Sequence, residues 1–330
     1  MISTQASAPV RIDLAGGTLD IWPVYLLFPG ALTVNLAIRL PARARVTPRK
    51  DGRVVLRAKD LPALVEADDL DSIPDDSALP LHAAIARCVR PSGGFTLATR
   101  ARVPRGSGLG GSSALAVAAL RALSVANGAP WGKAKIVAIA KDLEAAVLGI
   151  PTGTQDHLAS AWGGLSTVRL DPGGAKRERL RADVDGLCRH LVLAIAGASR
   201  LSATTNWDMV KGAVDDRGDV RARFREIVAA AHDVRGAILA GDIPGVGRAV
   251  EREYGARRGL AKGVETKEMR ELRGAAREAG ALGGKVCGAG GGGGMLFVVP
   301  RGRKKAVSAA LAEAGARVLP FSPDAEGLVG

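Results

Sequence analysis

Two consecutive serines follow a run of glycines about a third of the way along the chain. The stretch reads Gly-Ser-Gly-Leu-Gly-Gly-Ser-Ser over residues 106–113, after Pro104 and Arg105 and before an apolar helical sequence. Glycines let backbone N–H groups turn toward an anion, and the start of a helix adds positive potential. The hydroxyls of Ser112 and Ser113 stand where they can cap the helix or reach a phosphate-bound Mg²⁺. The pattern indicates a phosphate-binding loop.

The residues around this loop bear on two other possible functions, a dinucleotide-binding loop and a Walker loop. Residues 106–111 also satisfy the dinucleotide pattern G-x-G-x-x-G. A dinucleotide fold requires an acidic residue about 20 positions after the loop, and residues 120–135 carry none. A Walker loop is excluded because no lysine precedes Ser112. Taken alone, the loop fits a tightly packed helix N-cap as well as it fits a nucleotide site.

A second glycine run shifts that balance. It spans residues 288–294 between a helical segment, 267–278, and an apolar strand, 295–299, and it includes five consecutive glycines. Ordering so many glycines costs much conformational entropy. Close approach of the backbone to a ligand, or to the first glycine loop, therefore explains them better than a structural hairpin does.

Two further segments place acidic groups beside small residues. An apolar strand beginning near Val10 ends at Gly16-Gly17 and delivers Asp20 just beyond this pair. The other segment runs from Glu144 to Gly-Thr-Gln-Asp-His at 153–157. Helical periodicity over residues 133–149 puts Glu144 on the margin of the apolar stripe, where a carboxylate can face a cleft.

The four segments together resemble the motifs of the GHMP kinases, a family named for galactokinase, homoserine kinase, mevalonate kinase and phosphomevalonate kinase. They occur in the family's order, so the resemblance covers nearly the whole chain. GLGGSSAL at 108–115, GTQDH at 153–157 and KVCGAGGGG at 285–293 are most similar to the branch of heptose 7-phosphate kinases and fucokinases. Two features depart from the family. Gly-Gly-Thr-Leu-Asp-Ile at 16–21 differs from the galactokinase motif, and Gly294 replaces the usual aromatic residue.

The resemblance implies a role for each candidate residue. Asp156 matches the aspartate that receives or orients the proton of the acceptor hydroxyl, and Arg11 matches the basic residue beside it. Ser112 and Glu144 match the Mg²⁺ ligands, and Asp20 matches the position that holds sugar hydroxyls. Further contacts are implied to ATP from Pro104, Gly106, Gly108, Leu109, Gly110, Gly111, Ser113, Gly290 and Gly291, and to the acceptor from Gly17, Gly153 and Arg200.

Each of these side chains also has a purely structural alternative. Arg11 can pair with Asp13, Glu144 can be a charge on a helix face, and Asp156 can cap its own helix. Arg200 and Lys211 are candidates for holding a substrate phosphate, and either can equally be a surface cation.

The resemblance implies an α+β fold of two lobes with the nucleotide between them, residues 1–180 forming the ATP-binding lobe and residues 181–330 the second lobe. The sequence pattern adds detail. Alternation of arginine with apolar residues over 39–57 predicts a solvated antiparallel hairpin turning at 50–52. Residues 58–80 are predicted to be loops, and the charged stretch 171–185 is predicted to be the seam between the halves.

Composition fits an enzyme that acts on small molecules. The chain has 330 residues, 47% of them hydrophobic, which is enough for one large core or two domains. Three cysteines without C-x-x-C spacing, together with no secretory or long apolar segment, predict a cytoplasmic protein without a membrane partner. The net charge of +13 favours anionic substrates, whereas 3% aromatic content argues against single-stranded nucleic acid. A monomer or a homodimer is expected.

The sequence thus predicts a kinase that transfers the γ-phosphoryl group of ATP, with Mg²⁺, to a hydroxyl of a sugar or sugar phosphate. A mevalonate or phosphomevalonate kinase is the alternative, although those enzymes usually carry lysine at the position of Arg11. The third candidate is a catalytically dead nucleotide- or sugar-binding regulator. The presence of Arg11, Ser112, Glu144 and Asp156 argues against that regulator.

Overall fold

The first lobe is built on a seven-stranded sheet. A computed structural model describes residues 1–197 and 202–330 of the chain. The strands of the first sheet are β1 (Thr4–Ala15), β2 (Leu32–Pro48), β3 (Val54–Ala58), β4 (Ala63–Ala67), β5 (Phe95–Arg100), β6 (Leu165–Asp171) and β7 (Gly174–Arg179). Their order is β4-β3-β5-β2-β6-β7, with β1 paired to β2. The β3–β5 pairing is parallel, and the other pairings of this sheet are antiparallel.

Four helices cover this sheet and carry the candidate motifs at their ends. They are α1 (Pro80–Val89), α2 (Gly111–Ala126), α3 (Lys133–Leu148) and α4 (Gln155–Trp162). The alanine-rich helix α2 is buried along most of its length and packs on β1, β2, α3 and α4. Because a helix that is apolar all round must lie inside the lobe, the glycine loop before α2 is fixed by the core.

Over its described residues, the second lobe contains a four-stranded antiparallel sheet and six helices. Its strands β8 (Leu191–Ala196), β9 (Gly283–Val286), β10 (Gly293–Val298) and β11 (Arg317–Leu319) have the order β11-β8-β10-β9. The helices are α5 (Val184–Arg189), α6 (Ser202–Val214), α7 (Val220–Ala240), α8 (Ile243–Arg257), α9 (Lys267–Glu278) and α10 (Lys304–Glu313). Two sheets with their helices confirm the predicted two-lobed α+β fold.

Strand β1 lies where the lobes meet. Every residue from Ala8 to Ala15 is buried, and the strand contacts α2 and α4 of the first lobe as well as α7 and α8 of the second. Arg11 and Asp13 are therefore buried charges at the junction, with 3% and 1% of their surface exposed.

Three sequence-based expectations for the first lobe are wrong. Strands β2 and β3 do not form a hairpin, because β5 lies between them and pairs with both. Alternation fixes which face of a strand is solvated but not which strand pairs with it. The predicted loop 58–80 contains strand β4. The predicted seam begins inside the first sheet, since Asp171 and Gly174 close the β6–β7 hairpin.

The C-terminal segment returns to the first lobe. After β11, backbone hydrogen bonds tie Ser322 to Arg39, Asp324 to Ala37 and Gly164, and Val329 to Ser7. Residues 322–330 therefore pack on the first sheet, although the proposed division at residue 180 assigns them to the second lobe. The remainder of that division stays a prediction.

Candidate active site

A cavity of about 810 Å³ lies between the two lobes. Its walls come from β1 and the turn after it, the glycine loop before α2, the end of α3, the segment leading into α4, and the second glycine run. It brings together most of the residues that the sequence singled out: Arg11, Gly17, Asp20, Pro104, Gly106, Gly108, Gly110, Gly111, Ser112, Ser113, Glu144, Gly153 and Asp156.

Arg11 and Asp156 form an ion pair at the centre of this cavity. Arg11 Nη2 lies 2.6 Å from Asp156 Oδ1, and Arg11 Nε donates to the same oxygen at 2.8 Å. Arg11 Nη1 donates to the carbonyl oxygens of Gly108 and Cys287, at 2.6 and 2.9 Å. Burial disfavours the charge on Arg11, but the carboxylates of Asp156 and Asp13 raise its pKa above the ordinary value. The guanidinium thus joins both glycine segments to Asp156.

Asp156 keeps one carboxylate oxygen available to the cavity. It is the second residue of α4, and its side chain is 25% exposed. Both contacts from Arg11 fall on Oδ1, and no donor among the described residues is hydrogen-bonded to Oδ2. A hydroxyl bound in the cavity can therefore donate to Oδ2.

Glu144 is held as a carboxylate by three neighbours. Ser113 Oγ donates to Glu144 Oε2 at 2.7 Å, and His157 Nε2 lies 2.9 Å from the same oxygen. Burial alone would raise the pKa of Glu144, but hydrogen bonding and charge from His157, with Ser112 and Ser113, lower that pKa to about 2. Sequence analysis did not predict that His157 contacts Glu144. Its position beside Asp156 in the GTQDH motif was the available signal.

The oxygens of Glu144 and Ser112 suit a hard cation such as Mg²⁺, which is held by one or two carboxylates together with substrate phosphates. In the described part of the chain, no cluster of three or more His, Cys, Asp or Glu side chains could hold a metal ion without other ligands. This chemistry fits a cation shared with ATP and does not fit a cage made of protein alone.

Asp20 is a buried carboxylate in the wall of the cavity. It accepts a hydrogen bond from the backbone N–H of Gln155 at 2.8 Å and is 4% exposed. Burial raises its pKa to about 6; the Gln155 bond and Arg11 oppose this shift, and Asp156 and Asp13 add to it. A Cβ atom at Gly153 would lie 2.2 Å from Asp20 Oδ2, so this close approach requires glycine.

The second glycine run packs against the first. A Cβ at Gly288 would lie 2.9 Å from Gly108 Cα, and the Gly294 N–H donates to the Ser107 carbonyl at 2.7 Å. Gly288 and Ala289 line the cavity. The run was expected to approach a ligand or the other loop, and in this structure it approaches the other loop.

Three of the implied contact residues lie elsewhere. Gly290 and Gly291 are not among the residues that line the cavity; the Gly291 N–H donates to Val264, and a Cβ at Gly290 would meet the same carbonyl. The Leu109 side chain is fully buried in the core, and its carbonyl accepts from the Arg11 N–H. Pattern matching cannot separate a glycine that faces a ligand from one that faces the chain.

Of the two candidate phosphate-binding cations of the second lobe, the structure describes only one. Arg200 lies outside the described residues. Lys211 lies on α6 and pairs with Asp208 at 3.0 Å, one helical turn away, so it is a surface cation.

Comparison with known proteins agrees with the motifs. Residues 79–164 match the model for the GHMP kinases N terminal domain, and residues 234–317 match the model for GHMP kinases C terminal; together these spans make up just over half of the chain. The chain belongs to the GHMP kinase family. This GHMP kinase is therefore an ATP-dependent phosphotransferase that acts on a hydroxyl of a small molecule, and the predicted family is confirmed.

Several relatives of this GHMP kinase are named as sugar kinases. A D-glycero-alpha-D-manno-heptose 7-phosphate kinase of Campylobacter jejuni is 26% identical over 99% of this chain and 98% of that protein. The L-fucokinase/L-fucose-1-P guanylyltransferase of Bacteroides fragilis is 29% identical over 91% of this chain, which spans only 35% of that longer protein. Mevalonate kinases of Thermococcus and Pyrococcus species also match nearly all of the chain.

A solved structure shows that the similarity extends to the fold. A D-glycero-D-manno-heptose 1-phosphate kinase from Bacteroides thetaiotaomicron superposes with a TM-score of 0.79 at 26% identity, covering 99% of this chain and 98% of that one.

Within the described ranges, no helix has the length and apolar character needed to cross a bilayer.

Proposed function

We propose that this GHMP kinase transfers the γ-phosphoryl group of ATP to a hydroxyl of a sugar or sugar phosphate. The observation that carries the proposal is that two carboxylates, Asp20 and Asp156, face one cavity beside the glycine loop. One carboxylate can position a polyol while the other takes the proton of the reacting hydroxyl. The heptose kinase and fucokinase relatives support a sugar as the acceptor.

ATP is assigned to the end of the cavity at the glycine loop. The loop precedes the N-terminus of α2, where free backbone N–H groups and the helix dipole favour phosphate. Apolar side chains of Leu61, Leu79 and Val103 line the same cavity and provide a surface for a purine base.

Mg²⁺ is assigned to Ser112 and Glu144. When bound, the ion would neutralise charge on the phosphates of ATP. The low pKa of Glu144 supports this assignment, because its carboxylate stays ionised at any physiological pH. Ser113 and His157 orient that carboxylate from the side away from the solvent.

Asp156 is assigned to the acceptor proton and Arg11 to charge stabilisation. A phosphoryl transfer needs little covalent help from the protein, but it needs the nucleophilic oxygen in line and a place for its proton. Asp156 Oδ2 offers that place. Arg11 stabilises the Asp156 carboxylate and adds a fixed positive charge beside the transferring group.

The charge around Asp20 favours a polyol over mevalonate. No described residue forms an ion pair with Asp20, whose hydrogen bond comes from a backbone N–H. A carboxylate held directly against Asp20 would be repelled by it, whereas Asp156 is already paired with Arg11. Vicinal hydroxyls would instead donate to Asp20.

We also propose that residues 1–180 act as the ATP-binding lobe and that the chain works in the cytoplasm as a monomer or homodimer. The three cysteines form no disulfide, which suits a reducing compartment.

Replacing Asp156 by asparagine tests the proposed chemistry. The substitution keeps the side-chain volume but removes the proton acceptor, so turnover is expected to fall by roughly 10²- to 10⁴-fold. ATP affinity, measured by calorimetry, should stay near that of the wild type because asparagine fills the same volume beside Gly110. Asp142→Asn, at an exposed helix position, is the matched control and should leave turnover unchanged. A drop of only a fewfold in Asp156→Asn would reject Asp156 as the base.

A further inference from the structure

A cluster of four buried charges lies at the wall of the cavity, which includes Asp13 and Arg257, and is distinct from the reacting groups described above. Asp13, Glu253, Arg257 and Lys285 are each at most 1% exposed and come from β1, α8 and β9. Lys285 Nζ lies 2.9 Å from Asp13 Oδ2 and 3.3 Å from Glu253 Oε1. Arg257 Nη2 lies 2.6 Å from Glu253 Oε1. Two positive and two negative charges therefore balance one another.

Such a cluster is costly to build. Removing four charges from water carries a desolvation penalty that their attraction only partly repays, and well-packed apolar residues often serve stability equally well. Burial would by itself lower the pKa of Arg257, yet Glu253 and Asp13 raise it, so the arginine stays charged. The contacts that this cluster makes outside itself indicate what it does.

Those contacts fall on three consecutive residues of the turn that follows β1. Glu253 Oε1 accepts from the Gly16 N–H at 3.3 Å. Arg257 donates to the Gly17 carbonyl at 2.7 Å and to Thr18 Oγ1 at 3.2 Å. One ion pair on α8 of the second lobe thus holds three successive residues of the first lobe.

The turn needs such a restraint because its backbone is strained. Thr18 has a φ of 72°, in the left-handed region that a β-branched residue rarely occupies. Strained conformations of this kind persist only where the surroundings determine them, and they cluster at functional sites. The side chain of Thr18 is also fixed by a hydrogen bond to Asn206 Oδ1 at 3.2 Å. Two residues later the same turn presents Asp20 to the cavity.

We propose that Glu253 and Arg257 are positioning residues: they clamp the turn 16–20 and thereby fix the carboxylate of Asp20 where the acceptor binds. This inference rests on the proposed role of Asp20. The clamp acts on the acceptor and not on ATP, because its contacts lie on the turn after β1 and not on the loop 106–113.

Arg257→Lys is the test variant because it keeps the buried positive charge. A single ammonium group cannot reproduce the fork that reaches the Gly17 carbonyl, Thr18 and Glu253 together. The KM for the acceptor is expected to rise about tenfold or more, while the KM for ATP stays within about twofold. Arg273→Lys is the matched control: Arg273 pairs with Glu265 and Glu251 away from the turn and should leave both constants unchanged.

A double-mutant cycle with Asp20 separates positioning from general destabilisation. If the clamp acts through Asp20, Arg257→Lys should add little to the acceptor KM of an Asp20→Asn enzyme. Full additivity, or an unchanged acceptor KM in Arg257→Lys alone, would overturn the proposal.

A second pair of variants decides the matter if Arg257→Lys does not fold. Thr18→Val keeps the shape of the side chain but removes the hydroxyl that Arg257 and Asn206 contact, and Thr18→Ser keeps that hydroxyl. A raised acceptor KM in the valine variant alone supports the clamp, and equal values in both contradict it.

All constants are measured with whichever alcohol the wild type phosphorylates. A wild type that accepts another alcohol therefore rejects the sugar assignment without deciding the clamp.

Discussion

Among the described residues Asp20 has no ion-pair partner, and burying such a carboxylate is costly, which is why its pKa is raised to about 6. Its type and its place after a glycine pair were predictable from the sequence, as were those of Arg11, Glu144 and Asp156. The family resemblance also placed Arg11 beside Asp156, but it did not indicate the partners of Glu144 and Asp20. His157 beside Glu144 and the Gln155 N–H on Asp20 arise from how α3, α4 and the turn meet, which no local pattern records.

Asp20→Asn is expected to stabilise the protein at high pH. The carboxyl has a pKa of about 6 when folded against an ordinary value of 3.8, so the native state binds more protons between these values. The cost of the charge is therefore fully present above pH 6 and disappears as pH falls toward the unfolded pKa. Asparagine carries no charge and can still accept from Gln155. We expect it to raise the free energy of unfolding at pH 8 by about 1–3 kcal/mol, and by less at pH 5.

Urea unfolding at the two pH values checks this prediction. The exposed Asp142→Asn variant serves as the control and should change stability by no more than about 0.5 kcal/mol. Equal destabilisation of Asp20→Asn at both pH values would show that the carboxylate contributes to the fold. The stabilised variant should nevertheless bind a sugar acceptor more weakly, because two charge-assisted acceptor sites are reduced to one neutral acceptor.

At the scale of elements, two glycine segments from different lobes meet backbone to backbone. The helical segments predicted over residues 133–149 and 267–278 agree with α3 and α9 to within one residue at each end. Strand partners and the contact of Gly288 with Gly108 could not be predicted, since both depend on long-range packing. The match at Gly290 and Gly291 indicated a ligand contact where the structure places Val264.

Gly288→Ala should separate the two glycine segments. Its Cβ would lie 2.9 Å from Gly108 Cα, so one backbone must move, and with it the loop assigned to the phosphates of ATP. ATP affinity measured by calorimetry is expected to fall about tenfold or more, as for other losses of fixed phosphate contacts. Gly274→Ala on α9, where a Cβ meets nothing within 4 Å, is the control and should leave ATP affinity unchanged. Wild-type ATP affinity in Gly288→Ala would show that the contact between Gly288 and Gly108 does not position the loop assigned to ATP.

At the scale of the whole molecule, the lobes are joined by more than their linker. The buried charge cluster connects β1 to α8 and β9, and residues 322–330 return to the first sheet. The two-lobed fold followed from the family resemblance, but these connections depend on residues far apart in the chain. The cavity assigned to ATP and the acceptor is lined from both lobes.

Phosphoryl transfer to a panel of acceptors tests the central claim most directly. The full chain is incubated with ATP and Mg²⁺ and with free sugars, heptose 7-phosphate, mevalonate or phosphomevalonate, and the products are identified by phosphorus NMR. We expect that a sugar or sugar phosphate gains one phosphoryl group, that mevalonate and phosphomevalonate do not, and that Asp156→Asn forms almost no product. Phosphorylation of mevalonate or phosphomevalonate, with every sugar left unchanged, would contradict this expectation.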